Sequence, residues 1–270
     1  RSLVKHTKNQ GIVKSLNEGM RISKNKYIIR MDADDIAIKN RIKTQVTFMD
    51  TNPQVGACGS WIEVFGKQNY IWKTEISDQN IKVRLFFESA LAHPSVCIRK
   101  SVLDKYSIEY QKKYQYVEDY KLWIDISKVS KLANIPEVLL KYRVHQSQIR
   151  ESKSELQKNR NAMVKTRQLN KLITQAADKD ICLHIKATSW LKKANKKEIQ
   201  EIKKWYKKLM KANYLKNIYS HQEFINLIAD HWTALCYLSN LGTIKYLYFV
   251  SLPNLAARGV IRVLIRKINK

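Results

Sequence analysis

The alternation of short apolar runs with amphipathic helical patterns over residues 1–150 is the feature that most constrains the fold. Residues 11–23 carry apolar side chains at helical spacing, and YIIRM (27–31) follows as a short buried strand. A second helical pattern at 39–50 comes next and ends at a breaker, Asn52-Pro53. Helices that flank buried strands in this way are typical of layered α/β folds. The sequence therefore predicts an α/β domain over the first 150 residues.

The chain changes character at about residue 150. Before this point, VGACGSWIEVF and NYIWKT indicate a pair of strands joined near Gly66, and a third helix is expected at about 79–88. After it, long helical patterns rich in lysine dominate residues 151–270. One of these helices has a regular apolar stripe and a strongly cationic remainder; the stripe consists of Ile199, Ile202, Tyr206 and Leu209. We therefore expect an α/β domain at 1–150 and a basic, all-helical region at 151–270.

Composition and charge restrict the function classes. Fifty Lys and Arg against 23 Asp and Glu give a net charge of +27, which implies an anionic partner of some kind. The four cysteines form no C-x-x-C pair, which argues against a zinc ribbon and fits a reducing compartment. No window approaches the roughly 18 apolar residues of a membrane-spanning helix, and the first ten residues lack the apolar core of a signal peptide. These features predict a cytoplasmic protein.

An acidic cluster follows the first predicted strand. Asp32, Asp34 and Asp35 come directly after YIIRM, where ligands commonly bind beyond the carboxyl ends of the strands in an open α/β sheet. Two or three carboxylates at such a place can hold a divalent cation that also binds a diphosphate. The alternative is a solvated turn in which Asp34 or Asp35 caps the following helix.

A second pair of carboxylates opens a predicted helix in QYVEDYKLWIDISKV. Asp119 lies on the apolar stripe that contains Leu122, Trp123 and Ile126, and Glu118 flanks it. An ionised carboxylate on a core-facing stripe is costly unless it meets a partner, a metal or a substrate. The alternative is that both acids complement the dipole of the helix.

Basic side chains alternate with apolar ones in VLLKYRVHQSQ. A strand here places Lys141, Arg143 and His145 on one face. Arg143 is suited to a phosphate oxygen, and a neutral imidazole at a strand end makes His145 a candidate metal ligand. A surface histidine without a ligand is the alternative.

Five segments in register resemble the family 2 glycosyltransferases with the GT-A fold, of the bacterial polysaccharide or lipopolysaccharide type. They are NQGIVKSLNEGM, YIIRMDADDI, HPSVCIRKSVL, YVEDYKLWIDI and YRVHQSQI, which together span about residues 8–150. The resemblance implies a mixed GT-A sheet with flanking helices and a hexosyltransferase activity. It also implies a nucleotide-diphosphate sugar as donor, with a UDP-sugar favoured, and a hydroxyl of a glycan or lipid-linked acceptor in cell-surface polysaccharide biosynthesis.

The resemblance also implies roles for individual residues. Asp32 and Asp34 would form the D-x-D pair at the nucleotide ribose and the metal, with Asp35 in support. His145 would complete a site for Mn²⁺ or Mg²⁺, and the imidazole favours Mn²⁺. Asp119 would be the base of an inverting displacement, paired with Glu118.

Further residues of the same pattern would shape the donor pocket. His93 in HPSV belongs to this set, together with Asn9, Gly11, Asn17 and Gly19. For Asn17 and Gly19, the C-terminal turn of a helix is an alternative explanation. Arg143 would join the donor site through a phosphate oxygen.

One departure from the family is expected to affect activity. Family members begin with a strand, a helix and another strand that hold the nucleotide base, and this sequence starts after them. The resemblance therefore implies an N-terminally truncated catalytic domain at 1–150, and we expect weak or no turnover from the 270-residue chain alone.

Two other functions compete with sugar transfer, and a third possibility, a membrane-surface module, is compatible with it or would be the role of a catalytically inert fragment. Net charge and segments such as Lys203-Lys204-Trp205 suggest nucleic-acid binding, but no known reader motif accompanies them, so no nucleic-acid partner is expected. A phosphohydrolase would need a Thr soon after the D-x-D pair, where Ile36-Ala37 stands. The tail at 254–270 combines an apolar face with arginines, which would suit docking on the anionic inner face of the membrane. A basic, solvated helix is the alternative for the tail.

Overall fold

The computed structural model describes residues 4–145, 154–188 and 194–239. The chain forms two compact units, one of Arg1–Ile76 with Ser89–Asn161 and the other of Ser77–Glu88 with Ala162–Lys270. The helix expected at about 79–88 belongs to the second unit, although strands precede and follow it in the sequence. The division into a catalytic domain at 1–150 and a helical region at 151–270 stays a prediction.

The first unit contains both helices and strands, as the sequence predicts. Its helices are α1 (Ile12–Ile22), α2 (Arg41–Thr51), α4 (Lys100–Tyr106) and α5 (Glu118–Ile126), since α3 lies in the other unit. Its strands are β1 (Tyr27–Ile29), β2 (Ile36–Ala37), β3 (Val55–Gly66), β4 (Tyr70–Trp72), β5 (Cys97–Arg99) and β6 (Lys131–Val144). Short 3₁₀ turns at His93–Ser95 and Lys112–Tyr114 complete it.

The six strands form one mixed sheet in the order β1-β5-β3-β6-β2, with β4 paired to β3. β3 and β6 run parallel, and the other pairs are antiparallel. The first six residues of β3 are all buried, as expected for a strand with neighbours on both sides. The predicted mixed α/β architecture with flanking helices and a helical C-terminal region is confirmed.

The turn between β3 and β4 requires a glycine. Gly66 has a φ of +103°, and a Cβ at this position would lie 2.5 Å from the carbonyl oxygen of Val144. Both the conformation and the close approach favour glycine over every other residue. The predicted pair of strands joined near Gly66 is confirmed.

Helices alone make up the described part of the second unit. They are α3 (Asp78–Phe87), α7 (Asp178–Thr188), α8 (Lys196–Lys216), α9 (His221–Leu238) and most of α6 (Ser154–Leu172), whose residues up to Asn161 belong to the first unit. The predicted stripe of α8 is buried, and a reciprocal capping box between Asn195 and Glu198 starts this helix. No helix of the described ranges has the length and apolar character needed to span a bilayer. The tail at 254–270 lies outside the described residues.

A buried histidine makes the stability of the second unit depend on pH. The side chain of His184 packs among Phe86, Phe87 and Trp205, and the residue is 0% exposed. Burial, with the nearby charges of Lys165 and His231, lowers the pKa of His184 to about 3 from its ordinary 6.5. The imidazole is therefore neutral in the folded protein.

We predict that acidification destabilises the protein through His184. As the pH falls from 6.5 towards 3, protons bind this imidazole only in the unfolded chain, so the free energy of unfolding decreases, by about 2 kcal/mol between pH 6.5 and 5. Urea unfolding at the two pH values should show a smaller decrease for His184→Phe than for the wild type. The exposed His221→Phe serves as the control, and an unchanged pH dependence in His184→Phe would contradict the prediction.

Candidate active site

The acidic cluster forms a tight turn between β1 and β2. The backbone N–H of Arg30 donates to the carbonyl of Val96, which extends the pairing of β1 with β5 by one residue. The chain then turns, and the N–H of Asp35 donates to the carbonyl of Asp32 at 3.3 Å. The carboxylates are thus held where the strand ends.

The end of β6 clamps this turn. The N–H of Arg143 donates to the Asp35 carboxylate at 3.0 Å, and the Arg143 guanidinium donates to the carbonyl of Asp34 at 2.9 Å. Nε2 of His145 lies 3.0 Å from Oδ2 of Asp34. The structure therefore brings together four of the predicted site residues, from segments more than a hundred positions apart.

The alternative role of the cluster as a helix cap is not seen. The N-cap of α2 is Asn40, which makes no side-chain cap hydrogen bond, and the carboxylates of Asp34 and Asp35 are engaged with β6. Asp35 is buried, and its Oδ2 has no hydrogen-bond partner. Burial raises the pKa of Asp35 to about 6, against the lowering effect of the Arg143 N–H.

Asp32 faces a different partner. Its carboxylate accepts two hydrogen bonds from the guanidinium of Arg30, one of 2.9 Å and one shorter. It therefore stands apart from the pair formed by Asp34 and His145, and its predicted role as a metal ligand stays a prediction. Sequence reasoning missed Arg30, although the residue stands inside YIIRM, two positions before the D-x-D pair.

The Glu-Asp pair occupies the first turn of α5. Oδ2 of Asp119 accepts a hydrogen bond of 3.2 Å from the Ser89 hydroxyl. Burial raises the pKa of both carboxyls, and the positive charge of Arg30 opposes the rise in each. Glu118 is 6% exposed and Asp119 is half-buried. Glu118, which the sequence places beside the apolar stripe, therefore has the smaller accessible surface of the two. Oε2 of Glu118 has no hydrogen-bond partner.

His93 and Tyr110 form a hydrogen-bonded pair. Nε2 of His93 lies 2.8 Å from the Tyr110 hydroxyl. Burial, and then the Arg30 charge, lower the pKa of His93 well below its ordinary value, so the ring is neutral. Burial raises the pKa of Tyr110, the charge of Arg30 opposes the rise, and the carboxylates of Asp119, Glu118 and Asp32 add to it. Arg30 thus links the D-x-D turn electrostatically to the Glu-Asp pair.

Asn17 fixes the backbone at Tyr110. Its side-chain amide donates to the Tyr110 carbonyl at 2.8 Å and accepts from the Tyr110 N–H at 2.9 Å, so Asn17 does not terminate a helix. The helix-end alternative does fit Gly19, whose carbonyl accepts from Ser23 beyond the end of α1. Gly11 has a φ of +79°, and its N–H donates to the Asn9 side chain.

A buried arginine joins the two loops of the site. The guanidinium of Arg41, 2% exposed, donates to the carbonyls of Arg30 at 2.7 Å and Pro94 at 2.9 Å. It also donates to Gln45, whose amide donates to the carbonyl of Ser95. α2 therefore holds the D-x-D turn and the HPSV segment at a fixed separation.

The donor set suits a divalent cation bound together with a phosphate ligand. No three His, Cys, Asp or Glu side chains converge into a complete metal cage within the described ranges. Asp34 and His145 do place a carboxylate oxygen and an imidazole nitrogen together, with side chains that are 41% and 40% exposed. One cation can share these two atoms while its remaining positions stay open to a diphosphate. The residues present therefore fit the predicted metal.

We predict that Arg41→Lys destabilises the protein by about 3 kcal/mol. A lysine cannot reproduce the planar fork, so at least one buried carbonyl loses its donor, at a cost of about 1–3 kcal/mol for each group. Chemical denaturation measures the change. Lys43→Gln, an exposed substitution on the same helix, should stay within about 0.5 kcal/mol of the wild type. Equal stability of Arg41→Lys and the wild type would show that the buried fork is dispensable.

Part of this chain is similar in sequence to known proteins. Residues 2–108 match the family model described as glycosyl transferase family 2. An uncharacterised glycosyltransferase of Haemophilus influenzae is 33% identical over 157 residues, which cover 54% of this chain and 49% of that protein. A UDP-Gal:alpha-D-GlcNAc-diphosphoundecaprenol beta-1,3-galactosyltransferase of Escherichia coli is 31% identical over 141 residues, which cover 50% of each. The chain spans about half the length of the curated relatives it matches.

A comparison of structures finds similar chains at low sequence identity. One is a mannosyltransferase from Pyrobaculum calidifontis in complex with GDP-Man and Mn²⁺, with a TM-score of 0.45 and 14% identity. The match covers 96% of this chain and 69% of that one.

Proposed function

We propose that this chain, which belongs to glycosyl transferase family 2, moves a sugar from a nucleotide-diphosphate sugar to an acceptor hydroxyl. One observation carries the proposal. The D-x-D turn meets the end of β6 at the contact between Asp34 and His145, more than a hundred positions apart in sequence, and the charge of Arg30, which pairs with Asp32, also acts on Asp119.

The donor side consists of the D-x-D turn and the end of β6. Asp34 and His145 would hold Mn²⁺ or Mg²⁺, with Mn²⁺ favoured by the imidazole ligand. The bound cation would neutralise the charge that develops on the departing diphosphate. Asp32 would contact the ribose, and the hydrogen bonds that Arg143 donates to the Asp35 carboxylate and to the Asp34 carbonyl keep the turn in place. Arg143 would also offer guanidinium hydrogens to a phosphate oxygen.

A UDP-sugar is the proposed donor, and a glycan or a lipid-linked glycan is the proposed acceptor. The name of the Escherichia coli relative includes UDP-galactose and a diphosphoundecaprenol-linked sugar, and this supports both choices. We place the reaction in cell-surface polysaccharide biosynthesis, at the cytoplasmic face of the membrane.

Asp119 is the proposed base. The acceptor oxygen attacks the anomeric carbon, a new C–O bond forms, and the bond between this carbon and the β-phosphate oxygen breaks. The acceptor proton passes to Asp119, and the electron pair leaves with the diphosphate, so the configuration inverts. A raised pKa makes Asp119 a better proton acceptor than an exposed aspartate, and the Ser89 hydroxyl fixes its orientation. Glu118, enclosed beside it, would support the pair, while His93 and Tyr110 line the donor pocket.

We predict that Asp119→Asn lowers sugar transfer by two to four powers of ten, because the amide cannot accept the proton. The affinity for the sugar nucleotide should change less than about threefold, since the base contacts the acceptor. Transfer is measured by release of nucleoside diphosphate in the presence of acceptor, and donor binding by calorimetry. Asp104→Asn removes an exposed carboxylate that pairs with Lys100 and serves as the control. Full transfer by Asp119→Asn would remove this residue from the role.

We predict the opposite pattern for the metal pair. Asp34→Asn and His145→Gln should each weaken Mn²⁺-dependent binding of UDP at least tenfold, because each removes a ligand next to the diphosphate. Calorimetric titration of UDP with Mn²⁺, and again with EDTA, measures this without turnover. UDP binding that is insensitive to EDTA and to both substitutions would overturn the metal assignment.

A further inference from the structure

We propose that the outer face of α8 docks on an anionic lipid bilayer. This face, called the docking face below, comprises the exposed residues Lys204, Lys207, Lys208, Lys211, Tyr214 and Leu215, together with Ile218 just past the end of the helix. The inference does not depend on the transfer chemistry, because it uses the second unit alone.

Large apolar side chains lie open at one end of the docking face. Tyr214 is 70% exposed, Leu215 is 71% exposed and Ile218 is 41% exposed. Single exposed apolar residues are common, but three within five positions form a local patch. The opposite side of the same helix is buried, since its apolar stripe packs into the core of the unit. The exposed apolar patch is therefore not needed to pack α8 into the core of the second unit.

The lysines of the docking face are available to an external anion. No carboxylate pairs with Lys204, Lys207 or Lys211 among the residues that the structure describes, whereas Lys208 pairs with Asp180. At 100° per residue, Lys204, Lys211 and Leu215 lie on nearly the same line along the helix. The positively charged side chains are thus next to the apolar patch on the helix surface.

This combination favours a lipid surface over other anionic partners. A helix in the bilayer interface carries lysines that meet the anionic head groups and apolar side chains that enter the acyl boundary. A nucleic acid would satisfy the lysines but would offer little to Leu215 and Ile218. The C-terminal tail of this chain is a poor occupant, because it carries Arg258, Arg262 and Arg266 and would be repelled by the lysines.

Liposome co-sedimentation of the full chain tests the proposal. We expect binding to vesicles of phosphatidylcholine with 30 mol% phosphatidylglycerol and little binding to phosphatidylcholine alone. The triple variant K204Q/K207Q/K211Q should bind anionic vesicles at least tenfold more weakly, because each lysine contributes to the attraction of the surface. The matched control K14Q/K105Q/K131Q removes three exposed lysines of the first unit and the same total charge.

A second pair of substitutions separates lipid from soluble polyanions. Y214S/L215S keeps every lysine and should weaken vesicle binding severalfold while leaving binding to a DNA duplex unchanged. Circular dichroism and thermal unfolding confirm that the variants are folded. The proposal is overturned if the wild type ignores anionic vesicles, if the control triple loses as much binding as the α8 triple, or if Y214S/L215S binds vesicles like the wild type.

Discussion

The buried guanidinium of Arg41 is the interaction on which the geometry of the candidate site depends. It reaches the carbonyl of Arg30, at the end of β1, and that of Pro94, in the HPSV turn. Ser95, the next residue of that turn, in turn contacts the backbone of Ser60 in the central strand β3. A helix, a strand end and a turn are thereby connected through one side chain. The D-x-D turn can place its carboxylates reproducibly because the carbonyl of Arg30, two residues before Asp32, is fixed by Arg41.

Local patterns predicted much of the fold for a physical reason. Residues 12–22 and 41–51 form helices, and Tyr27–Ile29 forms a strand, because apolar periodicity reflects the burial of one face. The contact between Asp34 and His145 also follows from strand pairing. β2 lies antiparallel to β6, with Ile36 opposite Lys141, so residues just before β2 meet residues just after β6. The resemblance predicted that Asp34 and His145 share a metal site, but neither it nor the apolar periodicity predicted that β2 pairs with β6.

The residues that sequence reasoning missed are those whose position depends on contacts with distant segments of the chain. Arg41 stands at the start of an amphipathic helix, where a charged side chain is ordinarily solvated, yet it is almost fully buried. Tyr110 lies in a segment without periodicity and acquires its position from Asn17, 93 residues away. The relative burial of Glu118 and Asp119 could not be predicted from the sequence either, because they are neighbours in the first turn of α5 and tertiary packing determines which is covered.

Acidic side chains are concentrated around the candidate site. Around the site, the carboxylates of Asp32, Asp34, Asp35, Glu118 and Asp119 outnumber the guanidiniums of Arg30 and Arg143, although the protein as a whole carries +27. Burial raises the pKa values of Asp35, Glu118 and Asp119, and the charges of neighbouring carboxylates add to the rise for Asp35 and Glu118. A diphosphate would meet net repulsion there, and a divalent cation beside Asp34 reverses the sign locally. The proposed metal would thus allow an anionic donor to bind beside these carboxylates.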